Sequence, residues 1–382
     1  MGYVAVRGGG KAIEESLKLL ELERVSSSAA WGTDQIEGTF PDLIDQVMGE
    51  ASLYAPRLAA LALKQAQGSP DEAVFLLRAF RSTLERPYVS RPIDTGNMRA
   101  NRRVSAAFKD VPGGQVLGAT RDYSHRLLAF DLETEDEEVL AEKRAELLRH
   151  FDEDACAATA AVDGMLPAAL PRVLDYLRGE GLVEPVRCDD TPPVDATMVP
   201  LTFPAPRSVR LQTLARGMTQ AVEALGYAAI RGFGPAHPTV GELRSGTVAV
   251  SVDHPLEAGG AEDAYYLGSV PLTEVESVFM SHEDEAANLS AGLSLAVGYG
   301  CVFGRAETKA IAMSVLDRCL ELGDARYPTE DEEFVLYHVD GVEATGFISH
   351  LKLPHYVTFQ SKLSSVRGTR EEGKGPADAA AL

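Results

Sequence analysis

The stretches "GTVAVSVDH" (246–254) and "YYLGSVPLTEVESVFM" (265–280) decide the fold class of this chain. Both alternate apolar and polar residues with a period of two and carry many β-branched residues, which predicts neighbouring strands of an antiparallel sheet. Working outward, a helix is expected at about 208–230 before them and another at about 305–322 after them. Between Glu285 and Arg305 no charged residue occurs, but Asn288, Ser290, Ser294 and four glycines interrupt that run, so it reads as buried strand and turn rather than a membrane span.

The N-terminal half reads as helices. One covers 54–67; after Gly68, Ser69 as N-cap, Pro70 in the first position and Asp71 and Glu72 in the first turn predict a second, packed on it as an antiparallel hairpin. At the start of the chain "YVAV" (3–6), "RGGGK" (7–11) and "AIEESLKLLELE" (12–23) read as strand, glycine turn and amphipathic helix. That order either presents N–H groups to an anion or simply turns the chain, and it lacks the Gly-Lys-Ser/Thr element of a P-loop. Thr329 and Glu332 fit a capping box opening "EDEEFVLYHV" (330–339), which Asp340-Gly341 would end. The fold class is therefore α+β. It comprises a helical N-terminal region with a basic block (1–130), a helical insertion and linker with six prolines at 185–206 (131–206), a C-terminal domain with antiparallel sheet and helices (207–365), and a tail of disordered composition (366–382).

With 382 residues, 45% of them hydrophobic, the chain can bury a large core in two or three domains. A formal charge of −21 opposes binding to nucleic acid or an anionic membrane, so any anionic ligand must meet a local basic cluster. The N-terminus lacks a signal-peptide pattern, and a cytoplasmic protein without membrane span is expected. Cys156, Cys188, Cys301 and Cys319 are scattered without a CxxC pair, which leaves no ligand set for an iron-sulfur cluster or zinc ribbon in this chain.

Basic residues gather in one place. Arg99, Arg102, Arg103 and Lys109 precede a Pro-Gly-Gly turn, while Arg78 and Arg81 lie near the apolar face of the second hairpin helix. Such a block suits phosphate oxygens, or a solvated helix face paired with the acidic run at 133–138. In "GFISHLKLPHYVTFQ" (346–360), His350 and His355 stand five apart, a spacing that separates side chains by roughly 140° on a helix and puts them on opposite faces of a strand. Only a bend lets both rings converge, and Pro354 supplies one, placing His350 before a helix and His355 in its first turn. The pair reads as two structural histidines or as half of a metal site. His338 is a possible third nitrogen, although a core position suits it better.

Several long motifs then converge in order along the chain: "YVAVRGGGKAI" (3–13), "LALKQAQGSPDEAVFLLRAFRSTL" (61–84), "RRVSAAFKDVPGGQVLGATRDYSHRLLAF" (102–130), "RSVRLQTLARG" (207–217), "GELRSG" (241–246), "GYGCVFG" (298–304) and "DEEFVLYHVDGVEATGFISHLKLPHYVTFQSKL" (331–363). Together they resemble the I-subunit family of the bacterial carbon-phosphorus lyase core complex. The resemblance does not cover 23–40, much of 131–205, 253–292 or the tail.

The resemblance implies an enzyme subunit of phosphonate catabolism that works with G, H and J subunits and an L protein. The purine of ATP or GTP is displaced by methylphosphonate at ribose C1′, giving alpha-D-ribose 1-methylphosphonate 5-triphosphate, and the subunit alone acts as a purine nucleosidase. It also implies that His350 and His355 form a zinc half-site facing a partner subunit. Substitution at an N-glycosidic carbon asks for a negative group near C1′, a proton donor to the purine and a triphosphate clamp. Asp331, Glu332 and Glu333 are candidates for the first, or three acids favouring a helix dipole. Asp122 and His125, three apart, are candidates for the second, or a structural pair; Arg78, Arg81, Arg102, Arg103 and Lys109 are candidates for the third. Two other classes stay open: a non-catalytic scaffold subunit and a zinc-dependent phosphoester hydrolase.

Overall fold

The structure, a computed structural model, describes residues 9–26, 30–161, 170–184, 192–233, 237–254, 256, 264–280, 294–324 and 326–372. Two compact units divide the chain, one made of 1–83 with 337–382 and the other of 84–336. The expected strand at 3–6 and the last ten residues lie outside the described residues.

The first unit opens with α1 (Gly9–Arg24), whose residues are nearly all exposed, followed by α2 (Thr33–Thr39), α3 (Pro41–Ala51), α4 (Pro56–Gln65) and α5 (Pro70–Arg81). Ile44, Val47, Met48, Ala59, Ala60, Leu63, Val74 and Leu77 form their core, the alanines letting the helices approach closely. Between α4 and α5, Gln67 takes the left-handed φ +52° that this helix stop needs and Gly68 follows at φ +86°, its N–H donating to the carbonyl of Leu63. Ser69 Oγ then accepts the Glu72 N–H at 3.4 Å and starts α5 as expected.

The second unit is built on a four-stranded antiparallel sheet: β1 (Arg99–Val104), β2 (Thr239–Asp253), β3 (Ala264–Met280) and β4 (Leu295–Phe303), in that spatial order. α6 (Glu137–Ala161) and α7 (Val173–Gly179) precede α8 (Arg207–Arg216) and α9 (Thr219–Ala228); α10 (Glu307–Leu322) follows the sheet, and the unit ends at Leu336 within α11 (Glu332–His338). One sheet face, with Leu243, Val275 and Val302, is covered by α10. Gly298 and Gly300 make this possible, because a Cβ at either would stand 2.0 Å from the carbonyl oxygen of Ser314 or Ala310. The opposite face carries charges instead, described below.

Several expectations are corrected. β1, in the basic block read as a phosphate clamp or a solvated helix face, is a strand that pairs with β2 through Arg103↔Arg244 and Arg102↔Ser245, so 99–104 joins the sheet of 239–303 and the region 84–130 lies in the same unit as that sheet. The single helix expected at 208–230 is two, since Gly217 is extended and its carbonyl accepts from the buried Lys309 ammonium at 2.6 Å. The Thr329 and Glu332 capping box does not form: the Thr329 hydroxyl donates to the carbonyl of Phe233, and Asp331 Oδ1 accepts the Phe334 N–H at 2.9 Å instead. No helix among the described residues is long and apolar enough to cross a membrane.

The chain re-enters the first unit with α12 (Gly341–Ser349) and α13 (Tyr356–Glu372). Asp340, read as a stop, is also the N-cap of α12. α13 continues through 366–372, where composition suggested disorder.

Candidate metal half-site

The bend expected between the two histidines is present. α12 ends at Ser349, residues His350–Lys352 form a single 3-10 turn, and Leu353 is extended at φ −74°, ψ 159°, as the following Pro354 requires. His355 precedes α13 by one residue, its carbonyl accepting the Phe359 N–H at 2.9 Å, so it caps the helix instead of lying in its first turn. The two imidazole centres are 5.6 Å apart with their planes at 58°.

Each ring has one nitrogen committed. Nδ1 of His355 lies 2.6 Å from the Leu353 carbonyl, and Nδ1 of His350 meets the Phe347 carbonyl. A carbonyl oxygen only accepts, so the proton sits on Nδ1 in both neutral rings and the lone pair is left on Nε2. This backbone-oriented tautomer is the one that metal-ligating histidines adopt. A tetrahedral ion about 2.1 Å from two imidazole nitrogens sets the ring centres roughly 5 Å apart, close to the spacing found. The residues present thus fit half of a zinc site.

The other half is not in the chain's described residues, among which no group of three or more His, Cys, Asp or Glu could hold a metal. His338, expected in the core, is exposed on the last turn of α11. Around the pair, Phe347, Ile348, Leu351, Tyr356, Val357 and Phe359 are all exposed, the first of them by 69%.

The other side chains singled out from the sequence are mostly engaged inside their own unit. Arg103, 1% exposed, donates from Nε to Glu242 at 2.6 Å, from Nη1 to the carbonyls of Pro112 and Gly114, and from Nη2 to that of Pro171. A guanidinium so enclosed cannot reach a triphosphate. Arg102 pairs with Asp122 and Glu307 and donates to the Leu117 carbonyl. Arg78 pairs with Asp340 at 2.7 Å and donates to the Glu50 carbonyl at 3.0 Å, and Arg81 is half-buried on the same helix. Asp122 is drawn to Arg102, and among the described residues it makes no hydrogen bond to His125. Glu332 accepts the Ala205 N–H and faces Arg210, while Asp331 caps α11. His125, Lys109 and Glu333 are exposed.

The cluster that the sequence reading missed lies on the charged face of the sheet. Glu274, 2% exposed, accepts from the Thr95 hydroxyl, Arg172 and the Tyr299 hydroxyl on one oxygen and from Arg244 on the other. Burial pushes its carboxyl up, but Thr95, Arg172 and Arg244 outweigh burial and hold it below the usual range. Burial with Glu274 alongside pushes the Cys301 thiol up to about 11, and burial raises the Tyr299 phenol strongly. The signal was available, since Glu242, Arg244, Glu274 and Glu276 alternate in step along paired strands, Glu242↔Glu276 and Arg244↔Glu274. Opposite charges directly across paired strands stabilise them, as in Arg244↔Glu274, whereas the like pair Glu242↔Glu276 calls for cations, which Arg103 and Arg178 supply.

Comparison with known proteins adds the family. Residues 2–373 match the model of the bacterial phosphonate metabolism protein family PhnI. The chain is 43% identical, over 97% of its length and 99% of the relative's, to the alpha-D-ribose 1-methylphosphonate 5-triphosphate synthase subunit PhnI of Escherichia coli (strain K12). It is 42% identical to the Rhizobium meliloti (strain 1021) protein of the same name, over 97% of this chain and 95% of that one.

Proposed function

The chain belongs to the PhnI family of bacterial phosphonate metabolism proteins, and on that premise we propose that it is the subunit in which methylphosphonate displaces the purine of ATP or GTP at ribose C1′. In this step an oxygen of methylphosphonate forms a bond to C1′ as the bond from C1′ to the purine nitrogen breaks. The electron pair leaves with the purine, which takes up a proton. With water in place of the phosphonate the same step is a nucleosidase reaction.

The observation that carries the reading is the histidine pair: two rings fixed by Nδ1 hydrogen bonds, Nε2 uncommitted, and no third ligand among the described residues. An ion held there is completed by a partner subunit, for which the J subunit is proposed, with G, H and the L protein in the same assembly. Zinc, when bound, polarises a phosphoryl or phosphonate oxygen. Of the residues considered for the chemistry, His125, Lys109 and Glu333 keep exposed heads. His125 remains the candidate for proton transfer to the purine, Lys109 for a phosphate contact and Glu333 for stabilising positive charge at C1′, all three on the second unit. Arg102 and Asp122 hold the loop that carries His125. Arg103 is excluded from the clamp by its burial.

The test is product identification. The complex is incubated with GTP, with and without methylphosphonate, and products are separated by chromatography and phosphorus NMR. Free guanine in both cases, with a ribosyl phosphonate only when methylphosphonate is present, is expected. Released phosphate with an intact glycosidic bond would favour the phosphoester hydrolase instead, and no turnover by any combination of subunits containing this chain would leave it a scaffold.

A further inference from the structure

The histidine pair hangs from a helix held at one end. In α12, Gly341 is buried and Val342 half-buried, whereas every residue from Glu343 to Ile348 is exposed. Asp340 fixes the held end. Its Oδ1 accepts the N–H groups of Val342 at 3.1 Å and Glu343 at 3.2 Å, and it stands 2.7 Å from Nη1 of Arg78. Arg78 projects from α5 with its side chain 13% exposed, and its Nε donates to the Glu50 carbonyl at the end of α3. A continuous line of contacts therefore runs from the packed helices through Arg78 and Asp340 along α12 to the Phe347 carbonyl, which sets the ring of His350.

We infer that Arg78, through its ion pair with Asp340, is a positioning residue for the His350–His355 pair. The inference rests on the metal reading given above. The leverage is mechanical. A nine-residue helix is about 13 Å long, so a tilt of about 10° at the anchor moves its far end by about 2 Å. Metal–ligand distances in a formed site hold within about 0.2 Å of their usual values, so a shift of that size is large for an ion shared with groups outside the helix. Arg78 touches neither ion nor substrate, and its guanidinium is turned to Asp340 and Glu50 instead of a triphosphate.

The test measures zinc affinity of the assembled complex by competition with a chromophoric chelator, beside its melting temperature. Asp340→Asn keeps a capping side chain but removes the charge that Arg78 meets; Arg78→Ala removes the anchor, and Arg78→Lys keeps its charge. Zinc affinity should fall about tenfold in Arg78→Ala, the low end for residues supporting ligands, and in the same direction in Asp340→Asn, with partial recovery in Arg78→Lys. Val47→Ala, a buried change in α3, serves as the control and should lower the melting temperature while leaving zinc affinity unchanged. Parent-like affinity in both Arg78→Ala and Asp340→Asn overturns the inference, as does a Val47→Ala variant that loses zinc equally. A parent complex whose zinc is indifferent to His350→Ala overturns the metal reading itself, and the inference with it.

Discussion

Two sets of polar side chains in this molecule are in opposite condition. On the sheet face of the second unit, Arg103, Arg244, Glu242 and Glu274 are all at most 3% exposed, and each is matched by partners from its own unit. In the first unit, His350 and His355 lie among exposed apolar side chains, each with one ring nitrogen matched and one left over. The four residues of the first set are matched without a ligand, and so they are architecture; on the same face only Glu276 Oε2 is buried without a hydrogen-bond partner among the described residues. The second set has no third ligand among the described residues, which is the gap that the half-site proposal fills.

The comparison breaks most visibly at Arg103. Arg103→Ala leaves Glu242 buried without its cation and should cost about 3–5 kcal/mol in chemical denaturation, with loss of every activity together. His350→Ala and His355→Ala should change stability by no more than about 0.5 kcal/mol and still abolish growth on methylphosphonate. A stable Arg103→Ala protein with a raised KM for triphosphates alone would restore the clamp role and collapse the distinction.

Smaller effects follow from titration. Glu274 has a folded pKa below its unfolded value, near 4.3, so its contribution to stability is present above that pH and is lost as pH falls through the lower folded value. Glu274→Gln should flatten the acid limb of a stability profile as well as lower its plateau. Burial pushes the Cys319 thiol up to about 12, and Cys301 lies at about 11. Their contribution is full below the unfolded thiol value near 8.5 and is lost as pH rises through the folded values. Both thiols should accordingly resist iodoacetamide in native protein at pH 8, the buried Cys319 more than the half-buried Cys301, and mass spectrometry showing rapid native labelling at Cys319 would contradict its burial. The smallest effect belongs to a helix end: Ser69→Ala should cost about 1 kcal/mol, and should do so without altering zinc content.

What could be read from the sequence follows from how local each signal is. α5 was legible because Ser69, Pro70, Asp71 and Glu72 act within one turn, and β2 with β3 because alternation is a property of each strand alone. The bend at Pro354 was legible for the same reason. β1 was not: two adjacent arginines suggest solvent, whereas here Arg102 and Arg103 point to opposite faces of a sheet and find partners up to 205 and 139 residues away, in Glu307 and Glu242. Glycines 298 and 300 read as punctuation, but they are where α10 presses on β4, a contact that only the fold creates. At the half-site, the sequence offered the residue types and the bend. The tautomers and the Arg78 anchor depend on backbone carbonyls and on a pairing across 262 residues.

The central claim is that this chain supplies two imidazoles to an ion that a partner completes. Zinc affinity measured for the isolated chain and for the assembled complex tests it most directly. Binding in the complex should be tighter by more than about tenfold, and His350→Ala or His355→Ala should remove the gain. Equal affinity in the isolated chain and in the complex, or zinc retained in both histidine variants, would contradict it.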